Sequence, residues 1–232
     1  MDSEQLIKLS KTKTNSNNNS LQASLKTLFK DHRDNLSAYL VAKSKKPCAI
    51  ITLSIETDVN NVINTLSEFG IYAKTEKGKT GSQFTSLAIS KNLDKLNLLI
   101  HKLENQDHNS IGLLLGYPET SVTFFSEAIK NKKDGIYHSY LDEIVTQIGN
   151  GKSMSVNFAY GLHIPKSIST AGNKVVFDND SEDLFNKYMS FVRHTNTELS
   201  ESMENEMRIR LNELSLEKAL KIIQRGLTYT SC

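Results

Sequence analysis

The chain has 232 residues, 38% of them hydrophobic, which suffices for an ordinary core in one large domain or two small ones. Its 28 basic and 26 acidic residues leave a net charge of +2, so the overall balance gives no electrostatic drive toward nucleic acid or an anionic membrane. Two cysteines, Cys48 and the terminal Cys232, are too few for a disulfide framework or a cysteine metal site.

No window reaches the roughly eighteen apolar residues that a membrane span requires, and the start, "MDSEQLIKLSKTKTNSNNNS", lacks the apolar core of a secretory signal. The expectation is a soluble, cytoplasmic protein with no membrane partner. Charge is uneven along the chain. Residues 1–46 carry nine Lys/Arg against four Asp/Glu, and residues 180–218 carry nine Asp/Glu against five Lys/Arg.

Residues 1–19 have almost nothing to bury and are expected to be a disordered tail. From Ser20 to about Lys43, Leu21, Leu25, Leu28, Phe29, Leu36, Leu40 and Val41 recur at helical spacing, which predicts one amphipathic helix. "CAIITLS" (48–54) reads as a strand. Asp58 then caps a helical stretch through Val59, Val62, Ile63 and Leu66 that stops at Gly70. "IYAKTE" (71–76) and "FTSLAIS" (84–90) flank a Gly-Lys-Thr-Gly turn, and "NLDKLNLLIHKLE" (92–104) resumes the helical period.

This order predicts an α+β chain. Residues 20–106 form a helix plus a β-α-β-β-α module, whose small antiparallel-containing sheet carries two helices on one face, as in half of a ferredoxin-like fold. Residues 107–232 read as mainly helical, over about 110–115, 118–130 and 137–148, with a loop or short-strand insert at 149–179. After Asp180, Leu184, Tyr188 and Phe191 fall on one helical face. Leu199, Met203 and Met207 follow, and then Leu216, Leu220, Ile223 and Leu227. These C-terminal helices are the expected surface for any homo-oligomer.

The candidate sites are sparse. "GKTGS" (78–82) lacks the helix that a phosphate loop needs after it, since a strand follows, and the simpler reading is a hairpin turn. His138 and Asp142 lie four apart on a predicted helix, a spacing commoner for solvated pairs than for metal ligands. His163 sits before Pro165 in a glycine-bounded loop, where functional groups tend to gather. In "GLLLGYPETSVTFF" (112–125), Gly116 ends one helix, Pro118 starts the next, and Glu119 suits its positive end. Thr120 and Ser121 suit free first-turn N–H groups. Ser121 has neither the elbow nor the base of a nucleophile.

That same stretch resembles the signature GLLLGYPxCCV of a mostly archaeal family catalogued only as a domain of unknown function, and "KKPCAII" is similar to the family's N-terminal part. The resemblance spans residues 22–195. Where the family has a cysteine pair this chain has Thr120 and Ser121; where a later loop supplies more cysteines it has Lys166 and Thr170. The resemblance therefore implies a scaffold without its relatives' metal chemistry, so no metal and no cofactor are expected.

The function expected from all this is a non-catalytic module that binds an unknown small molecule or regulates, with candidate ligand contacts at Tyr117, Glu119, Thr120, Ser121, His163 and Lys166. The alternative is an enzyme acting on a small molecule or RNA base, with Glu119 and His163 as acid and base. RNA binding through the basic N-terminal segment is a third reading.

Overall fold

Asp31 divides the first helical stretch. In the structure, a computed structural model that describes residues 20–29, 31–54, 56–76, 84–130, 153–154, 168–171 and 174–213, residues 20–28 form α1 and His32–Ala42 form α2. Asp31 is the N-cap of α2. Its carboxylate accepts the Arg33 backbone N–H at 2.8 Å and pairs with the Arg33 guanidinium at 2.9 Å. The expected single helix is thus two, because the apolar period reports burial and not continuity. Leu21, Leu25, Phe29, Leu36 and Leu40 are all buried across the break.

α2 ends in a left-handed residue, Ser44, with φ 55°. Its N–H donates to the Val41 carbonyl at 2.9 Å, and the Lys45 N–H donates to Leu40 at 2.8 Å. This pair of bonds satisfies carbonyls that a helix end would otherwise strand. The same device ends α3 (Val59–Glu68) at Gly70, with φ 67°. Asp58 caps the start of α3 by accepting from Asn60 and Asn61, as the sequence suggests.

β1 (Cys48–Ser54), β2 (Tyr72–Thr75) and β3 (Phe84–Ser90) form a sheet ordered β1-β3-β2, with both pairings antiparallel. β1 and β2 therefore run parallel on either side of β3, with α3 as their crossover and α4 (Leu93–Glu104) after β3. The β-α-β-β-α order is as read from the sequence. Cys48 and Tyr72 both stand opposite Ser90. At that end both alternating sets of side chains are buried, with Ala49 and Ile89 on one face and Cys48, Ala88 and Ser90 on the other. Two helices on one face do not account for this. α2 packs on the sheet as well as α3 and α4.

The chain divides into two compact units. One runs through Gln106 and includes Leu114–Gly116; the other holds Asp107–Leu113 and everything from Tyr117 onward. α5 (His108–Leu114), in the second unit up to Leu113, precedes α6 (Glu119–Lys130). Within the stretch read as an insert, β4 (Ser153–Met154) pairs parallel with β6 (Lys174–Phe177), and β5 (Ile168–Ala171) pairs antiparallel with β6. α7 (Asn179–Thr195) and α8 (Thr197–Glu213) pack against each other. α7 is capped by Asp178 and buries Phe185, Tyr188, Met189 and Val192, so its inner face is rotated from the expected Leu184-Tyr188-Phe191 stripe. The expected tail (1–19), the 78–82 turn, the helix at about 137–148 and the C-terminal stripe beyond 213 lie outside the described residues. Among the described residues, no helix is long and apolar enough to cross a membrane.

Candidate functional site

The Cys48–Ser90 register pair brings two distant loops together at one end of the sheet. Ser90 joins them. Its hydroxyl, fully buried, donates to the Pro47 carbonyl at 2.8 Å and accepts the Asn92 N–H at 3.1 Å. Asn92 then caps α4, accepting the Lys95 N–H at 2.9 Å. These bonds hold the loop after α2 beside the start of α4. A cavity of about 280 Å³ lies between them, edged by Ser44, Lys45, Lys46, Lys91, Asn92 and Lys95.

The electrostatics of this cavity are one-sided. Lys91 and Lys95 are exposed, and neither has an ion-pair partner among the described residues. The Lys43 amine nearby is held below its ordinary value, first by burial and then by repulsion from Lys91. Lys46 is buried, and its Nζ donates to the Leu115 carbonyl at 2.6 Å. Burial pushes its pKa down to about 7, against a smaller opposing pull from Cys48. The Cys48 thiol is itself pushed up by burial, which outweighs the Ser90 hydrogen bond and the charges of Lys95 and Lys46. It is therefore a poor nucleophile.

Of the residues singled out in the sequence, Tyr117, Glu119, Thr120 and Ser121 belong to the second unit. Gly116, with φ 75°, ends α5, and the Tyr117 N–H reaches back to the Gly112 carbonyl at 3.1 Å. Tyr117 is half-buried, and its phenol is pushed up by burial and by Tyr188. Glu119 is exposed in the first turn of α6. Thr120 donates its hydroxyl to the Asp180 carboxylate at 2.7 Å, and the buried Ser121 and Ser181 hydroxyls lie 3.4 Å apart. Both side chains thus tie the start of α6 to the start of α7. His163 and Lys166 lie outside the described residues, and Thr170 stands opposite Val175 in β5. Among the described residues, no three His, Cys, Asp or Glu side chains gather to hold a metal ion.

Sequence reasoning missed the lysine cavity. The signal was present in "KSKK" (43–46) just before β1 and "SKNLDK" (90–95) just after β3. Only the antiparallel register of β1 with β3 shows that these two runs meet. Comparison with protein-family models, with curated proteins and with solved structures gives no match for this chain.

Proposed function

We propose that the protein is a non-catalytic small-molecule-binding or regulatory module whose binding site is the lysine-edged cavity of its first unit. One observation carries the reading: four lysines from two segments far apart in sequence converge on one small concavity at the N-terminus of a twelve-residue helix. Like charges brought together repel, and a bound anion relieves that repulsion. The volume sits at the small end of ligand pockets, which favours a compact ligand over a polymer.

No carboxylate edges the cavity and its nearest thiol is buried and protonated, so the site lacks the paired acid and base that turnover needs. Binding is the simpler use. A cytoplasmic setting suits the free thiol of Cys48.

Native mass spectrometry of the purified protein tests the reading. A low-molecular-weight compound should copurify with the wild type and be absent from Lys91→Glu/Lys95→Glu. Equal loading of both proteins would overturn it.

A further inference from the structure

We infer that the cavity takes a phosphate-bearing small molecule, its phosphate seated among Lys45, Lys91 and Lys95 at the first turn of α4. The inference rests on the reading of this cavity as a binding site and names the ligand class.

Two features separate phosphate from a carboxylate. The cations come from different segments: Lys45 from the loop after α2, Lys91 from the loop before α4, and Lys95 from the helix itself. A tetrahedral phosphate presents three terminal oxygens that can each meet a separate ammonium, whereas a carboxylate presents two in one plane. Finally, a phosphate monoester carries roughly two negative charges at neutral pH, having a second pKa near 6. Its Coulomb attraction to the cluster is about twice that of a monoanion at the same distance.

The helix start adds to this. Asn92 satisfies the Lys95 N–H, so that donor is already used; the N–H groups of Leu93 and Asp94 begin the helix ahead of it. Asn92 and Lys95, the cap and first-turn residues of α4, edge the cavity, and the positive end of a helix favours anions. Asp94, exposed in the same turn, opposes the effect without edging the cavity. Lys46 has a different role. Its Nζ is engaged with Leu115 and burial lowers its pKa to about 7, so it need not touch the ligand and the charge at the site comes from Lys45, Lys91 and Lys95.

Isothermal titration at constant ionic strength tests the ligand class, using inorganic phosphate, glycerol phosphate, acetate and glycerol. The phosphates should bind, with acetate roughly tenfold weaker or more and glycerol silent. Lys91→Ala/Lys95→Ala should weaken phosphate binding by roughly tenfold for each lysine removed, while Lys187→Ala, the same charge change on exposed α7, leaves it intact. Circular dichroism checks that each variant is folded; should the double variant unfold, the two single variants carry the test. If acetate or glycerol matches phosphate and the double variant abolishes binding, the site stands and the ligand class falls. If phosphate binds the double variant as tightly as wild type, the cavity is not its site and both readings fall, as they do if nothing binds. Two further arms distinguish polymers and membranes: binding only to a single-stranded oligonucleotide, or only to vesicles containing phosphatidic acid, would overturn the small-molecule assignment.

Discussion

Lys46 donates from Nζ to the backbone carbonyl of Leu115 at 2.6 Å, across 69 residues of chain, and both residues belong to the first unit. The bond ties the cavity loop to the segment just before Tyr117. It also places an amine where water cannot solvate its charge, which is why burial lowers its pKa to about 7. Between that value and the unfolded value of about 10.4, the unfolded chain holds a proton that the folded chain has released. Stability therefore rises with pH through this window. Urea unfolding at pH 7 and pH 10 should differ by roughly 2 to 4 kcal/mol through this group, and Lys46→Met should remove that difference. An unchanged pH slope in Lys46→Met would show that the amine is not held neutral.

The β-α-β-β-α order was legible because each of its elements is announced locally. Asp58 marks a cap, Gly70 a stop, and "FTSLAIS" is a short apolar run after a glycine-bearing turn. The division at Asp31 was less legible, because a capping carboxylate in the middle of an apolar period looks like one more exposed charge. The cavity was legible only as two lysine-bearing runs with nothing to join them. Lys45 and Lys95 are fifty positions apart in numbering, and only strand register brings them together. Whole-chain charge points the wrong way here, since a net +2 conceals a local excess of cations.

Asp34 gives the opposite pH limb. Ser86 accepts from Glu76 on the β2 side, so Thr52, standing opposite Ser86, turns its N–H to the free edge of β1. Asp34 accepts that N–H at 3.3 Å, where a further strand would otherwise lie. Burial first, and then Asp31, raise the Asp34 pKa to about 7, against weaker lowering by the Thr52 bond and Arg33. Between about 4 and 7 the folded chain holds a proton that the unfolded chain lacks, so stability falls as pH rises through that range. Asp34→Asn keeps an acceptor for Thr52 and removes the penalty. It should raise stability at pH 7.5 by about 1 to 3 kcal/mol and flatten the profile between pH 4 and 7, measured by urea unfolding.

Ser44 tests the cavity rim. It occupies the left-handed region at φ 55°, where a β-carbon costs roughly 1 kcal/mol and glycine pays nothing. Ser44→Gly should raise the thermal midpoint by about 2 to 4 °C, reduced somewhat by the extra freedom glycine gives the unfolded chain. Ser44→Val, branched at the β-carbon, should lower it. If both substitutions move the midpoint the same way, backbone strain is not what they report.

Gly112 explains the first glycine of the Gly-Leu-Leu-Leu-Gly stretch, which sequence reasoning left without a role. A β-carbon built there would stand 2.6 Å from Cγ2 of Val122 and 3.1 Å from its Cγ1. In an open helix, alanine in place of glycine would gain up to about 1 kcal/mol. Here the contact decides the sign, because Val122 is buried and branched at its own β-carbon, so its methyl groups cannot swing aside. Gly112→Ala should therefore destabilise by roughly 1 to 3 kcal/mol, the scale of an overpacked core. Val122→Ala should cost a similar amount by leaving a void. In the double variant the alanine methyl occupies part of that void, so the cost of Gly112→Ala measured in the Val122→Ala background should fall to near zero. Urea unfolding of the four proteins closes the cycle. Additive losses would mean that α5 and α6 move apart to admit the methyl, and that the glycine does not set their spacing.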